Sequence, residues 1–99
     1  MTEKIIVELN MEDGSKIVVF DRLMSDNSLG KLHCARNIYK IDKSDSTVWQ
    51  VSSPHDEYGD PFTNIWIDEG GDLLAYRWDG GSYSINPTTG LATPRVFLR

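Results

Sequence analysis

The 99 residues amount to one domain, 1–99, and a 39% hydrophobic content with three Trp, four Tyr and three Phe fits a packed core rather than a disordered chain. The formal net charge of −5 argues against nucleic acid or an anionic membrane as partner, because both need a basic footprint, and suits a cationic protein. The one cysteine, Cys34, excludes an intrachain disulfide, so packing alone must hold the fold.

The N-terminus carries Glu3 and Glu8 where a signal peptide would have a basic start. No apolar run approaches the roughly 18 residues of a membrane span. With the absence of disulfides, this points to the reducing cytoplasm.

Short β-type runs alternate with turn signals along the whole chain. Lys4 to Leu9 reads as a strand, followed by a Met11-Glu12-Asp13-Gly14 turn, since Asp-Gly tolerates the positive φ of a tight hairpin. Lys16 to Phe20 is next, and its Ile17-Val18-Val19-Phe20 run is apolar on both sides, which suits a central strand. Residues 21–35 are a polar connection that leaves open a short helical turn or an early start, at Lys31 to Ala35, to the next strand. Asn37 to Asp42 and Thr47 to Ser52 pair about a Lys43-Ser44-Asp45-Ser46 turn. The Ser53 to Pro61 stretch holds Pro54 and Pro61, which cannot donate to a ladder, and is a loop.

Phe62 to Asp68, Leu73 to Trp78 and Ser82 to Asn86 form a meander with glycine-rich turns. Leu91 to Leu98, interrupted by Pro94, is an edge strand. Eight strands at this spacing predict an all-β fold: an antiparallel two-sheet sandwich or flattened barrel of about seven or eight strands. The likeness among Asn37 to Asp42, Asn64 to Asp68 and Tyr83 to Asn86 suggests propeller blades, but two blades cannot close a propeller. Alternation puts Ile65 and Ile67 opposite Asn64, Trp66 and Asp68, and puts Leu74, Tyr76 and Trp78 opposite Leu73, Ala75 and Arg77.

Catalytic arrangements are weak. His33-Cys34 reads as a nucleophile beside its base, but neighbours on a strand face opposite ways. Two His and one Cys do not make a zinc set. The Asp56 to Asp60 loop offers oxygens for calcium without the twelve-residue pattern of an EF-hand. Gly70-Gly71 and Gly80-Gly81 lack the lysine and helix of a phosphate cradle. The expectation is therefore no enzyme, no metal and no cofactor.

Charge is the informative feature. Residues 55–80 hold seven acids (Asp56, Glu57, Asp60, Asp68, Glu69, Asp72 and Asp79) against one base, Arg77, while the remaining 73 residues hold eight acids and nine bases. A solvated surface that keeps a small β protein soluble is the plain explanation. An anionic surface that enters the basic cleft of a nuclease is the functional one, with nearby aromatics as anchors.

Thr47 to Val51, Asp60 to Trp66, Leu74 to Gly80 and Tyr83 to Asn86 together resemble small bacterial β proteins encoded beside polymorphic toxins, including the immunity proteins of contact-dependent growth inhibition systems. The resemblance spans roughly residues 36–90. It implies a cytoplasmic protein that binds its toxin's nuclease domain and protects the producer. Such proteins share no active site, so it transfers no functional residue.

Charge and loop position alone give the predicted partner-binding set: Asp56, Glu57, Tyr58, Asp60, Trp66, Asp68, Glu69 and Asp72. The expected function is one-to-one inhibition of a cationic toxin by a monomer. The alternative is a carbohydrate-binding module using Trp66, Tyr76 and Trp78, and a third is a subunit of a larger assembly joined through the Val96 to Leu98 edge.

Overall fold

A computed structural model describes residues 4–22 and 30–95. Glu3, the middle of the 21–35 connection and the Val96 to Leu98 edge lie outside the described residues. No helix among the described residues is long and apolar enough to cross a membrane.

Two four-stranded antiparallel sheets make up the protein, which is the predicted sandwich; neither closes into a barrel. The first has the order β1 (Ile5–Asn10), β2 (Lys16–Phe20), β3 (Ile38–Ile41), β4 (Thr47–Gln50). The second has the order β5 (Phe62–Ile67), β6 (Leu73–Arg77), β7 (Ser82–Ile85), β8 (Ala92–Pro94). Each sheet is a meander, so every pairing within it is between sequence neighbours. The three similar segments fall on β3, β5 and β7. They occupy third, first and third places in their sheets, which is not the order a duplicated unit would have.

Turn chemistry sets the hairpins. Gly14 has φ +88°, and the Asp13 carboxylate accepts the Ser15 N–H at 2.9 Å, closing the β1–β2 turn. As predicted, β2 is central: Ile17, Val18 and Val19 are fully buried. Lys31–Ala35 is a short helix, α1, rather than a strand start. Five residues are too few to display a 3.6-residue period in the sequence. The 53–61 loop contains one 3₁₀ turn, Asp56–Tyr58.

The inner faces meet in one core. Ile17, Val19, Ile38, Trp49 and Val51 come from the first sheet and its edge, and Phe62, Ile65, Leu73, Ala75, Tyr83, Ile85 and Ala92 from the second. At roughly 1.5–3 kcal/mol for each large side chain removed from water, this cluster is the main stabilising term.

Two polar clasps fix one sheet on the other. Asn37, fully buried, donates to the carbonyls of Phe20 and Phe62, each at 2.7 Å, and accepts the Phe62 N–H at 2.8 Å. At the β4 edge the Ser52 N–H donates to Gly90 O and the Ala92 N–H to Ser52 O, forming a parallel bridge between Ser52 and Leu91. Trp49 seals that seam, its indole N–H donating to Pro87 O at 2.9 Å. Its ring lies so close to Gly90 that a Cβ there would stand 2.6 Å from it.

Candidate partner-binding face

The two faces of the second sheet differ. Leu73, Ala75, Arg77, Ile65, Tyr83 and Ile85 turn inward and are buried. Registers across β5, β6, β7 and β8 put Trp66, Leu74, Ser84 and Thr93 in one row, and Asn64, Tyr76 and Ser82 in the next. These side chains point away from the core, and Leu74 among them is buried all the same, 5% exposed. Tyr76 is 44% exposed and Trp78, just past β6, is 61% exposed, while Trp66 is half-buried. The alternation read from the sequence is correct here. A bulge between Phe62 and Asn64 lets Phe62 remain on the inner side with Arg77.

The first sheet's outer face is more occupied. Val18 is fully buried there, and the Arg22 guanidinium lies over the rings of Phe20 and Tyr39, 5.8 and 5.5 Å from their centroids. Arg22 also donates to the carbonyls of His33 and Arg36 and to the Tyr39 hydroxyl, tying the start of the 21–35 connection to α1 and its exit.

The predicted acidic set does not form one contiguous patch. Asp56, Glu57, Tyr58 and Asp60 precede β5, and Asp68, Glu69 and Asp72 follow it. Six residues of strand at about 3.3 Å each hold these groups roughly 20 Å apart, at opposite ends of the sheet. What connects them is the outer face, with Trp66 between.

Asp56 is a further correction. It is 1% exposed, so it cannot meet a partner as predicted. Its carboxylate accepts Arg77 Nη2 at 2.6 Å, Arg36 Nε at 2.8 Å, the Ser53 N–H at 2.7 Å and the Ser53 hydroxyl at 2.6 Å. Burial alone would push this carboxyl up; the Ser53, Arg36 and Arg77 hydrogen bonds outweigh it and hold the group below its ordinary value. Arg77 is itself fully buried, its guanidinium 4.0 Å from the Phe62 centroid and 4.8 Å from that of Tyr83. The pair is structural: it anchors the 3₁₀ turn and the α1 exit to β6.

The other predicted residues are available. Glu57 is exposed, Tyr58 is 65% exposed and Asp60 is half-buried. Glu69 and Asp72 are exposed at the β5–β6 turn. Asp68 closes that turn, its carboxylate accepting the N–H groups of Gly70 and Asp72, both at 2.9 Å.

Two clefts border the face. One, about 230 Å³, lies at the β6–β7 turn among His55, Tyr58, Asp79 and Tyr83. The other, about 350 Å³, lies at the opposite end among Asp72, Ser84, Asn86, Leu91 and Thr93. Asp79 was outside the predicted set although it sits in the acidic window. The signal that could have found it is the adjacent Trp78, an aromatic at a hairpin with no apolar neighbour to cover it.

His33 and Cys34 lie on α1, not on a strand. The Cys34 thiol contacts Arg22 O at 3.4 Å, and no His, Cys, Asp or Glu cluster able to hold a metal occurs among the described residues.

The fold and this face define a small antiparallel β-sandwich with an open aromatic surface bordered by carboxylates. The chain belongs to the DUF7957 family, a domain of unknown function, whose family model matches residues 2–97. No curated protein and no solved structure matches it.

Proposed function

We propose that the chain is a non-catalytic binding protein that meets a cationic protein through the outer face of its second sheet. The observation that carries this reading is the pair Tyr76 and Trp78, 44% and 61% exposed on a sheet face whose two ends bear Glu57, Asp60 and Asp79 and Asp68, Glu69 and Asp72. Aromatic anchors inside a charged rim are the anatomy of a protein interface. Net charge of −5 favours a basic partner and speeds encounter with it.

The particular partner consistent with the immunity-protein resemblance is the nuclease domain of a bacterial toxin, bound one-to-one in the cytoplasm. Inhibition then comes from covering a basic surface, with no bond made or broken. Asp56 has no part in contact; Glu57, Tyr58, Asp60, Trp66, Asp68, Glu69 and Asp72 do, joined by Tyr76, Trp78 and Asp79.

The test is co-expression with the protein encoded by the adjacent gene. Rescue of growth and a one-to-one complex on gel filtration are expected. Glu69→Lys with Asp72→Lys should slow association and flatten its salt dependence. A toxic neighbour that is neither bound nor neutralised would defeat the reading.

A second reading has its own support. Trp66 shares its row with the hydroxyls of Ser84 and Thr93, close to the cleft at Asp72 and Asn86, an arrangement that suits a sugar. Saturable binding on a glycan panel, lost in Trp66→Ala, would favour it over the protein partner.

A further inference from the structure

We infer that the cleft at the β6–β7 turn receives an arginine side chain of the protein partner. This rests on the reading that the partner is a cationic protein.

The cleft's lining carries the inference. His55 and Tyr58 line the cleft as a stacked aromatic pair, their rings 25° from parallel with centroids 6.2 Å apart. Tyr83 also lines it. It is 2% exposed, and its hydroxyl is held by Arg77 Nη1 at 3.2 Å. Asp79 is the single carboxylate in the lining, which contains no lysine or arginine. The Gly81 N–H donates to Asp79 Oδ1 at 2.8 Å, which fixes the carboxylate's direction. Asp79 has no ion pair among the described residues.

Two bases near the cleft are otherwise engaged. Arg77 lies behind Tyr83, and both Arg77 and Arg36 are bonded to Asp56. Arg95 follows Pro94 of the lining and is exposed, so a base stands beside the cleft. Selectivity must therefore come from the lining itself.

A guanidinium matches that lining better than other cations do. It is planar and weakly hydrated, stacks on aromatic faces and donates paired hydrogen bonds to a carboxylate. A lysine ammonium supplies the charge without the flat contact. The volume, about 230 Å³, admits one side chain and not a helix. Trp78 adjoins Asp79 in sequence, so the cleft lies at the β6–β7 end of the same sheet.

The experiment titrates the isotopically labelled full chain with N-acetyl-arginine amide, following backbone amide signals. The controls are the isosteric neutral citrulline amide and the lysine amide. Saturable millimolar shifts at His55, Tyr58, Gly80 and Gly81 are expected with arginine. Citrulline should bind at least about threefold more weakly, the effect of an exposed charge pair. Asp79→Asn, which keeps an oxygen for the Gly81 N–H, should reduce arginine binding to the citrulline level, and Tyr58→Ala should weaken both ligands. Equal binding of arginine and citrulline, or shifts away from the cleft, would overturn the inference. A one-to-one complex with the neighbouring gene's product that tolerates Asp79→Asn would remove the cleft from the interface while leaving the wider proposal intact.

Discussion

At the scale of single residues, burial decides what a charge does. Asp56 and Asp79 are both aspartates in the same acidic window, yet one is 1% exposed between two guanidinium groups and the other is exposed at a turn. Asp56→Ala should destabilise the fold by about 3–5 kcal/mol, measured by urea unfolding, because it leaves Arg77 buried without a counter-charge. Asp79→Asn should leave stability unchanged within about 0.5 kcal/mol. The Asp56 carboxyl also gives acid sensitivity a definite sign. Its folded value lies below the unfolded value of about 3.9, so its contribution is complete above that value and fades as pH falls through the folded one. Between pH 5 and pH 3 the parent should lose more stability than Asp56→Asn. Parallel losses in the two proteins would show that this carboxylate does not govern the acid limb.

At the scale of elements, strands and turns are local and were legible, whereas contacts between elements were not. Lys16 to Phe20 was read with the bounds it has, because a short apolar run between turn signals needs no distant information. Two-residue alternation put Trp66 and Tyr76 on the outer face. The same reading could not bury Asp56, whose partners Arg36 and Arg77 lie 20 and 21 residues away and meet it only when α1 and β6 converge. It left open whether a short helical turn or a strand start occupies the 21–35 connection, since α1 has only five residues, and it could not see the Asn37 clasp, whose partners lie 17 and 25 residues off. The seam at Gly90 gives an element-scale prediction. Gly90 has φ +79° and Trp49 packed on it, so Gly90→Ala must shift an indole and strain the backbone. A loss of about 1–3 kcal/mol in denaturant unfolding is expected. Unchanged stability would mean the β4–β8 seam is loose.

At the scale of the whole molecule, the chain's acidic excess is divided between the two ends of one sheet, with aromatic side chains between. An anionic surface formed by the whole acidic window is not compatible with this geometry; a face with aromatic anchors and two acidic rims replaces it. The balance of energy changes accordingly. Rim charges act mainly on association rate, and the aromatics hold the complex once formed. In a complex, Trp66→Ala or Tyr76→Ala should cost about 2 kcal/mol of binding, seen as faster dissociation. The measurement that bears most directly on this is backbone amide mapping of the labelled chain in complex with the adjacent gene's protein. Changes concentrated at Asn64, Trp66, Tyr76, Trp78 and Ser84 are the predicted result. Changes confined to the first sheet's outer face, at Glu8, Tyr39 and Gln50, would contradict it.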